Sequence, residues 1–169
     1  MLQQLATYNV WANNKLIYCI QQQPEGLWYQ QTPSSFDSLY KTILHMWDAE
    51  SAWWQRMKMQ ERIMVPSATV KEKEPLFQHV ANGLIEQSLE WEEWVKAASD
   101  MALQHVFQYQ NLNGEQFKQP VFEVLVHVFN HGTYHRGQLV SMLRQLGIST
   151  IPQTDFAFWC REKVRGKMW

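Results

Sequence analysis

The chain is predicted to be all-α: a four-helix bundle carrying one small β-hairpin before its last long helix. Three observations predict it. Four segments, each about twenty residues or longer, repeat apolar residues with a helical period. No internal repeat, low-complexity tract or long linker divides the 169 residues, so residues 1–169 read as one domain. One piece ahead of the fourth segment alternates with period two instead.

The first helix is expected over about residues 2–23, with Leu5, Tyr8, Trp11 or Ala12, Leu16 and Cys19 or Ile20 on one stripe, and "PEG" stopping it. The second begins near Ser35 or Ser38, either of which suits an N-cap, and runs to about Met59. Its apolar face holds Leu39, Ile43, Met46, Trp53 and Met57. The third follows "KEKEP", with Pro75 at the first helical position, and carries Phe77, Val80, Leu84, Trp91 and Val95 to about Ala98. The hairpin is read from "LQHVFQYQNLNGEQFKQP", which alternates with period two around Asn113-Gly114. The fourth long helix runs from Pro120 to Leu146, with Gly147 as its stop. "FAFWCREKV" adds a short fifth helix capped by Asp155.

Composition narrows the function classes. A hydrophobic content of 46%, with nine Trp and eight Phe, is ample for one core. A formal charge of -1 gives no electrostatic footprint for nucleic acid, and the basic "REKVRGK" reads as a solvated tail. No apolar run approaches the roughly 18 residues of a membrane span, and the N-terminus carries no signal-peptide pattern. Cys19 and Cys160, far apart and without a CxxC, fit packing in a reduced compartment, so a cytoplasmic protein is expected. Nucleophile-elbow, phosphate-loop and HExxH motifs are absent. "EWEEW" reads as a solvated acidic face with its tryptophans turned inward.

The chemistry concentrates in "HVFNHGTYHRGQL", residues 127–139. Residues four apart share a helix face, so His127/His131 and His131/His135 are each able to grip one metal ion. At about 100° per residue, the stripe of Val121, Leu125, Val128, Leu139, Met142 and Leu146 places His135 inside it, His131 on its shoulder and His127 at its edge, beside Tyr134 and Gln138. The inward pair is His131/His135. Gly132 lies on the same inward side, where a neighbouring helix can approach, whereas Gly137 faces elsewhere. A pair needs a further donor. His45, in the second helix, lies off the broad apolar stripe, as a cleft or a surface residue. Glu50 falls inside that stripe, either as a hydrogen-bond acceptor for a ligand imidazole or at the bundle end. His79 and His105 are expected to face solvent.

The same residues resemble a known family. "HVFNHGTYHRGQLVSMLRQLG" is similar to the last-helix signature of the DinB family of damage-inducible bacterial proteins, which are unrelated to the DNA polymerase sharing that name. "YNVWANNKL", "SLYKTILHMWDAESAWWQRM" and "IPQTDFAFW" resemble other blocks of it, so the likeness spans nearly the whole chain. It implies an up-down-down-up bundle, frequently a homodimer, holding one divalent metal, zinc or nickel, per chain. Carried over position by position, the ligands are His45, His131 and His135, with His127 beside the site. Related bundles include transferases and isomerases that use low-molecular-weight thiols, so the implied partner is a small-molecule substrate, such as a low-molecular-weight thiol. Three neutral imidazoles leave a coordination position for thiol or water. The expected function is therefore a metal-dependent thiol S-transferase or hydrolase, and the alternative is a non-catalytic stress protein with a structural metal. Tyr8, Asn13 and Glu50 are catalytic candidates only through their places in the family blocks.

Overall fold

The computed structural model describes residues 1–69, 76–111 and 114–166. In chain order the elements are α1 (Leu2–Gln21), α2 (Glu25–Tyr29), α3 (Leu39–Met57), α4 (Pro66–Thr69), α5 (Phe77–Ala97), α6 (Asp100–Gln104), β1 (Val106–Gln110), β2 (Gln116–Pro120), α7 (Val121–Gln145) and α8 (Phe156–Val164). The four long helices close a ring in which α1 and α3 each pack on both α5 and α7. Side-chain pairs give their directions. Thr42 and Trp53 of α3 meet Met142 and His127 of α7, so these two run antiparallel. Glu50 and Trp54 of α3 meet Ser88 and Trp91 of α5, which is a parallel pair. Thr7 and Gln21 of α1 meet Glu92 and Gln78 of α5, again antiparallel.

Local chemistry explains most of the boundaries. Ser38, not Ser35, caps α3 by accepting from the Lys41 amide at 3.2 Å. Asp155 caps α8 through the Phe158 amide at 2.8 Å. Beyond α7, Gly147 takes φ +83° and its N–H reaches the Arg144 carbonyl, the left-handed stop that glycine supplies without a Cβ penalty. Three short helices had no periodicity to announce them. One of these, α2, uses Pro24 as its N-cap, so "PEG" both ends α1 and starts a new turn. Pro75 and Asn113 lie outside the described residues. The strands pair from Val106↔Pro120 to Gln110↔Gln116, the small hairpin expected before the last long helix.

The core is split along the bundle axis. Leu16, Ile20, Leu39, Ile43, Leu84 and Met142 pack one end. Trp91, Val95, Phe107, Val121, Leu125 and Val128 pack the other, under the hairpin. Tyr8, Ala12 and Trp159 join α8 to α1. Between the two ends lies a buried polar layer of Asn9, Asn13, Glu50, Ser88 and Arg136. The acidic "EWEEW" face is not wholly solvated: Glu92 is buried, accepting the Thr7 hydroxyl at 2.6 Å and pairing with Lys96 at 2.7 Å. Cys19 is buried, and both cysteines are free thiols. Among the described residues no helix is long and apolar enough to cross a membrane.

Candidate metal centre

The antiparallel packing of α3 on α7 brings His45 to the inward pair on α7. The His131 Nε2 lies 3.2 Å from the His45 Nε2 and 3.0 Å from the His135 Nε2. One ring nitrogen from each of the three lies within 4.8 Å of the others. Metal–imidazole bonds of about 2.0–2.1 Å place neighbouring nitrogens of one coordination sphere about 2.8–3.4 Å apart, between octahedral and tetrahedral edges. Both spacings to His131 fall in that range, and the donor set suits a divalent cation that accepts imidazole. His127 is not in this group. It is exposed, its ring 5.9 Å from that of His131 and edge-on to Trp53 at 5.2 Å.

Neighbouring side chains orient His135 and cover His45. The His135 Nδ1 lies 2.7 Å from the Gln138 Oε1, and the Gln138 amide nitrogen points toward Ser35 Oγ at 3.3 Å and the Tyr134 hydroxyl at 3.4 Å. With the amide so oriented, Nδ1–H donates and the Nε2 lone pair faces the other histidines. Phe36 stacks on His45 at 4.0 Å and meets His135 edge-on at 5.7 Å, covering the site with an apolar wall. Burial, then the positive charge of neighbouring histidines, lowers both His45 and His131 to about 4. Burial also lowers His135, against the opposing Gln138 hydrogen bond. All three are therefore neutral near pH 7, as metal binding requires.

Glu50 is not an acceptor for any of the three imidazoles, nor does it sit at the bundle end. Its carboxylate accepts from Asn9 Nδ2 and from the Ser88 hydroxyl, each at 3.0 Å. Arg136 donates to Asn9 Oδ1 at 2.6 Å and to Asn13 Oδ1 at 2.9 Å, so two amides bridge the cation and the carboxylate. Burial, only partly offset by these hydrogen bonds and by Arg136, pushes Glu50 up to about 7. Tyr8 and Asn13 belong to the same layer. The Tyr8 ring lies under the Arg136 guanidinium at 5.2 Å and its hydroxyl donates to the Thr154 carbonyl at 2.7 Å. The three candidates from the family blocks thus meet Arg136, while the adjacent His135 turns to the histidine cluster. Gly132 is needed at this point, because a Cβ there would lie 2.8 Å from Asn9 Oδ1 and 3.1 Å from Arg136 Nη1.

His79 and His105 are exposed and away from the cluster. Sequence reasoning missed the support given by Gln138 and Phe36. Gln138 carried a signal, since it stands three residues after His135 and so shares its face. Phe36 lies in the irregular segment before α3, where no periodicity points anywhere.

Known proteins resemble this chain in sequence and in fold. The family model described as the DinB family matches residues 1–163. Protein DinB of Bacillus subtilis (strain 168) is 28% identical over 166 residues, covering 92% of this chain and 91% of that protein. A DinB-like protein of Bacillus subtilis, known from its crystal structure, shares the fold with a TM-score of 0.64 at 12% identity, covering 90% of this chain and 98% of that one.

Proposed function

The chain belongs to the DinB family, and we propose that it is a divalent-metal enzyme, of thiol S-transferase or hydrolase type, built on His45, His131 and His135. The observation carrying this reading is the convergence of three neutral imidazoles, with His131 Nε2 3.2 Å from His45 Nε2 and 3.0 Å from His135 Nε2, and with no carboxylate or thiol in the group among the described residues. Three protein donors leave room for an exogenous one. Zinc or nickel held there would lower the pKa of a bound thiol or water and so supply a nucleophile at neutral pH. The chain's own residues do the rest. Gln138 holds His135 in one tautomer, Phe36 keeps bulk water off His45, and burial keeps the imidazoles unprotonated. No side-chain acid or base among Tyr8, Asn13 and Glu50 is hydrogen-bonded to the cluster, so the reading assigns proton handling to the bound nucleophile itself.

A second reading is favoured by one observation: the three histidines join α3 to α7, so an ion there would also brace the bundle. The two readings separate on metal removal, with melting temperature and turnover of an electrophile by several small thiols measured together. Thiol-dependent turnover that disappears with the metal while the bundle stays folded supports the enzyme. A collapse in stability, with no turnover of thiol, ester or amide substrates by the metal-loaded protein, supports the structural brace. We also propose a homodimer, working in the cytoplasm. Sedimentation at low micromolar concentration showing only a species near 20.1 kDa would exclude the dimer.

A further inference from the structure

We propose that Arg56, laid on Trp53 beside His127, is the anion-binding end of the substrate site. It would take the carboxylate of a small thiol whose sulfur reaches the three-histidine centre; this rests on the thiol reading above.

Among the described residues Arg56 is a cation without an anion. Its Nε is buried and has no hydrogen-bond partner, and its guanidinium forms no salt bridge with any described residue. What holds it is the Trp53 ring, with the guanidinium carbon 4.8 Å from the ring centroid. Glu123, one turn before His127 on α7, is approached by Gln119 rather than by Arg56. A guanidinium fixed in this way keeps its planar fork ready for a carboxylate from outside.

A continuous wall leads from Arg56 to the histidine cluster. Trp53 meets His127 at 5.2 Å and Tyr109 of the hairpin at 5.0 Å, and His127 lies 5.9 Å from His131. The wall is open to solvent, since His127 is exposed and Arg56, Trp53 and Tyr109 are half-buried. Spacing sets the length of the ligand. Helical side chains lean toward the N-terminus, which carries the Arg56 head back over Trp53. Eight residues separate His45 from Trp53, about 12 Å at the helical rise. That is the reach of about three to four extended residues. The ligand class is therefore a tripeptide-sized thiol with a carboxylate at the far end.

The test uses the cobalt-loaded full chain and N-acetyl-Cys-Gly-Gly, as the free acid and as the C-terminal amide, followed through the thiolate-to-cobalt absorption band. The wild-type protein is expected to bind the acid about tenfold or more tightly than the amide. Arg56→Gln should bring the two to parity by weakening only the acid. Arg56→Lys should fall between, and it carries the comparison should Arg56→Gln fold poorly. A clear band with equal affinities in wild type, or a preference for the acid that survives Arg56→Gln, overturns the subsite alone. No band with either peptide overturns the thiol reading and the subsite with it.

Discussion

Gly132 and Gly137 lie five residues apart within α7, and their alanine substitutions are expected to move stability in opposite directions. In a helix interior, alanine gains about 0.5–1 kcal/mol over glycine from backbone entropy. At Gly137 nothing lies within 4 Å of a built Cβ, so that gain should stand. For a chain of this size, 1 kcal/mol corresponds to about 2–4 °C in Tm, and Gly137→Ala should melt higher by up to that amount. At Gly132 the new methyl would sit 2.8 Å from Asn9 Oδ1 and 3.1 Å from Arg136 Nη1. Neither neighbour is free to move. Asn9 Oδ1 accepts from Arg136 at 2.6 Å while its amide nitrogen donates to Glu50 at 3.0 Å, all in a layer closed to water. Relief means giving up a hydrogen bond to a buried cation, at about 1.5–3 kcal/mol, or accepting an overpacking cost of similar size. After the propensity gain, a net loss of about 1–2 kcal/mol remains, or a fall of about 2–8 °C in Tm. Urea and thermal denaturation of the metal-free protein, followed by circular dichroism, measure both. Gly132→Ala equal to or better than wild type, or the two variants shifting in the same direction, would refute the account of the polar layer.

Protein purified without a histidine tag should contain close to one zinc or nickel per chain by elemental analysis, and alanine at His45, His131 or His135 should abolish it. His127→Ala and His79→Ala should retain it, whereas loss in His127→Ala with retention in His45→Ala would assign the competing pair on α7. Gln138→Leu removes the acceptor that orients His135 and should lower metal affinity about 10–100-fold in competition with a chelator; an unchanged affinity would mark that contact as incidental. Without metal, His45 and His131 titrate near 4 when folded against 6.5 in their ordinary state, so the unfolded chain binds more protons between those values. Their contribution is complete above pH 6.5 and is lost as pH falls toward 4. Glu50 opposes this, because its rise from 4.5 to about 7 contributes stability below pH 4.5 that is lost as pH rises through 7. Urea midpoints across pH 4–8 should therefore fall more steeply toward acid in Glu50→Gln, and a variant curve parallel to wild type would contradict the Glu50 assignment.

The four long helices, the hairpin and two of the caps were legible because the signals are local. An apolar stripe at period 3.6 reports which face of a helix is buried, whatever buries it. Ser38 and Asp155 satisfy amides three residues away, well inside a reading window. The short helices α2, α4 and α6 span four or five residues, too few for a period to register.

The candidate site divides in the same way. That His131 and His135 share an inward face follows from 3.6 residues per turn alone, and Glu50 likewise lay on the stripe of α3 that proves buried. Spacing along one helix is a property of that helix. Which residue a side chain meets depends on the rotation and axial register of two helices against each other, and that is set by packing the whole core. Hence periodicity left His45 open between cleft and surface, and only the antiparallel seating of α3 on α7 brings it within 3.2 Å of His131. The same seating of four helices turns Glu50 away from the histidines toward Asn9 and Ser88, and makes Gly132 indispensable where Gly137 is not. The sequence by itself determined the helices and the faces they bury. The tertiary structure decided which buried polar groups share a site, because a desolvated polar group must find its partner across helices, and no one-dimensional period encodes that meeting.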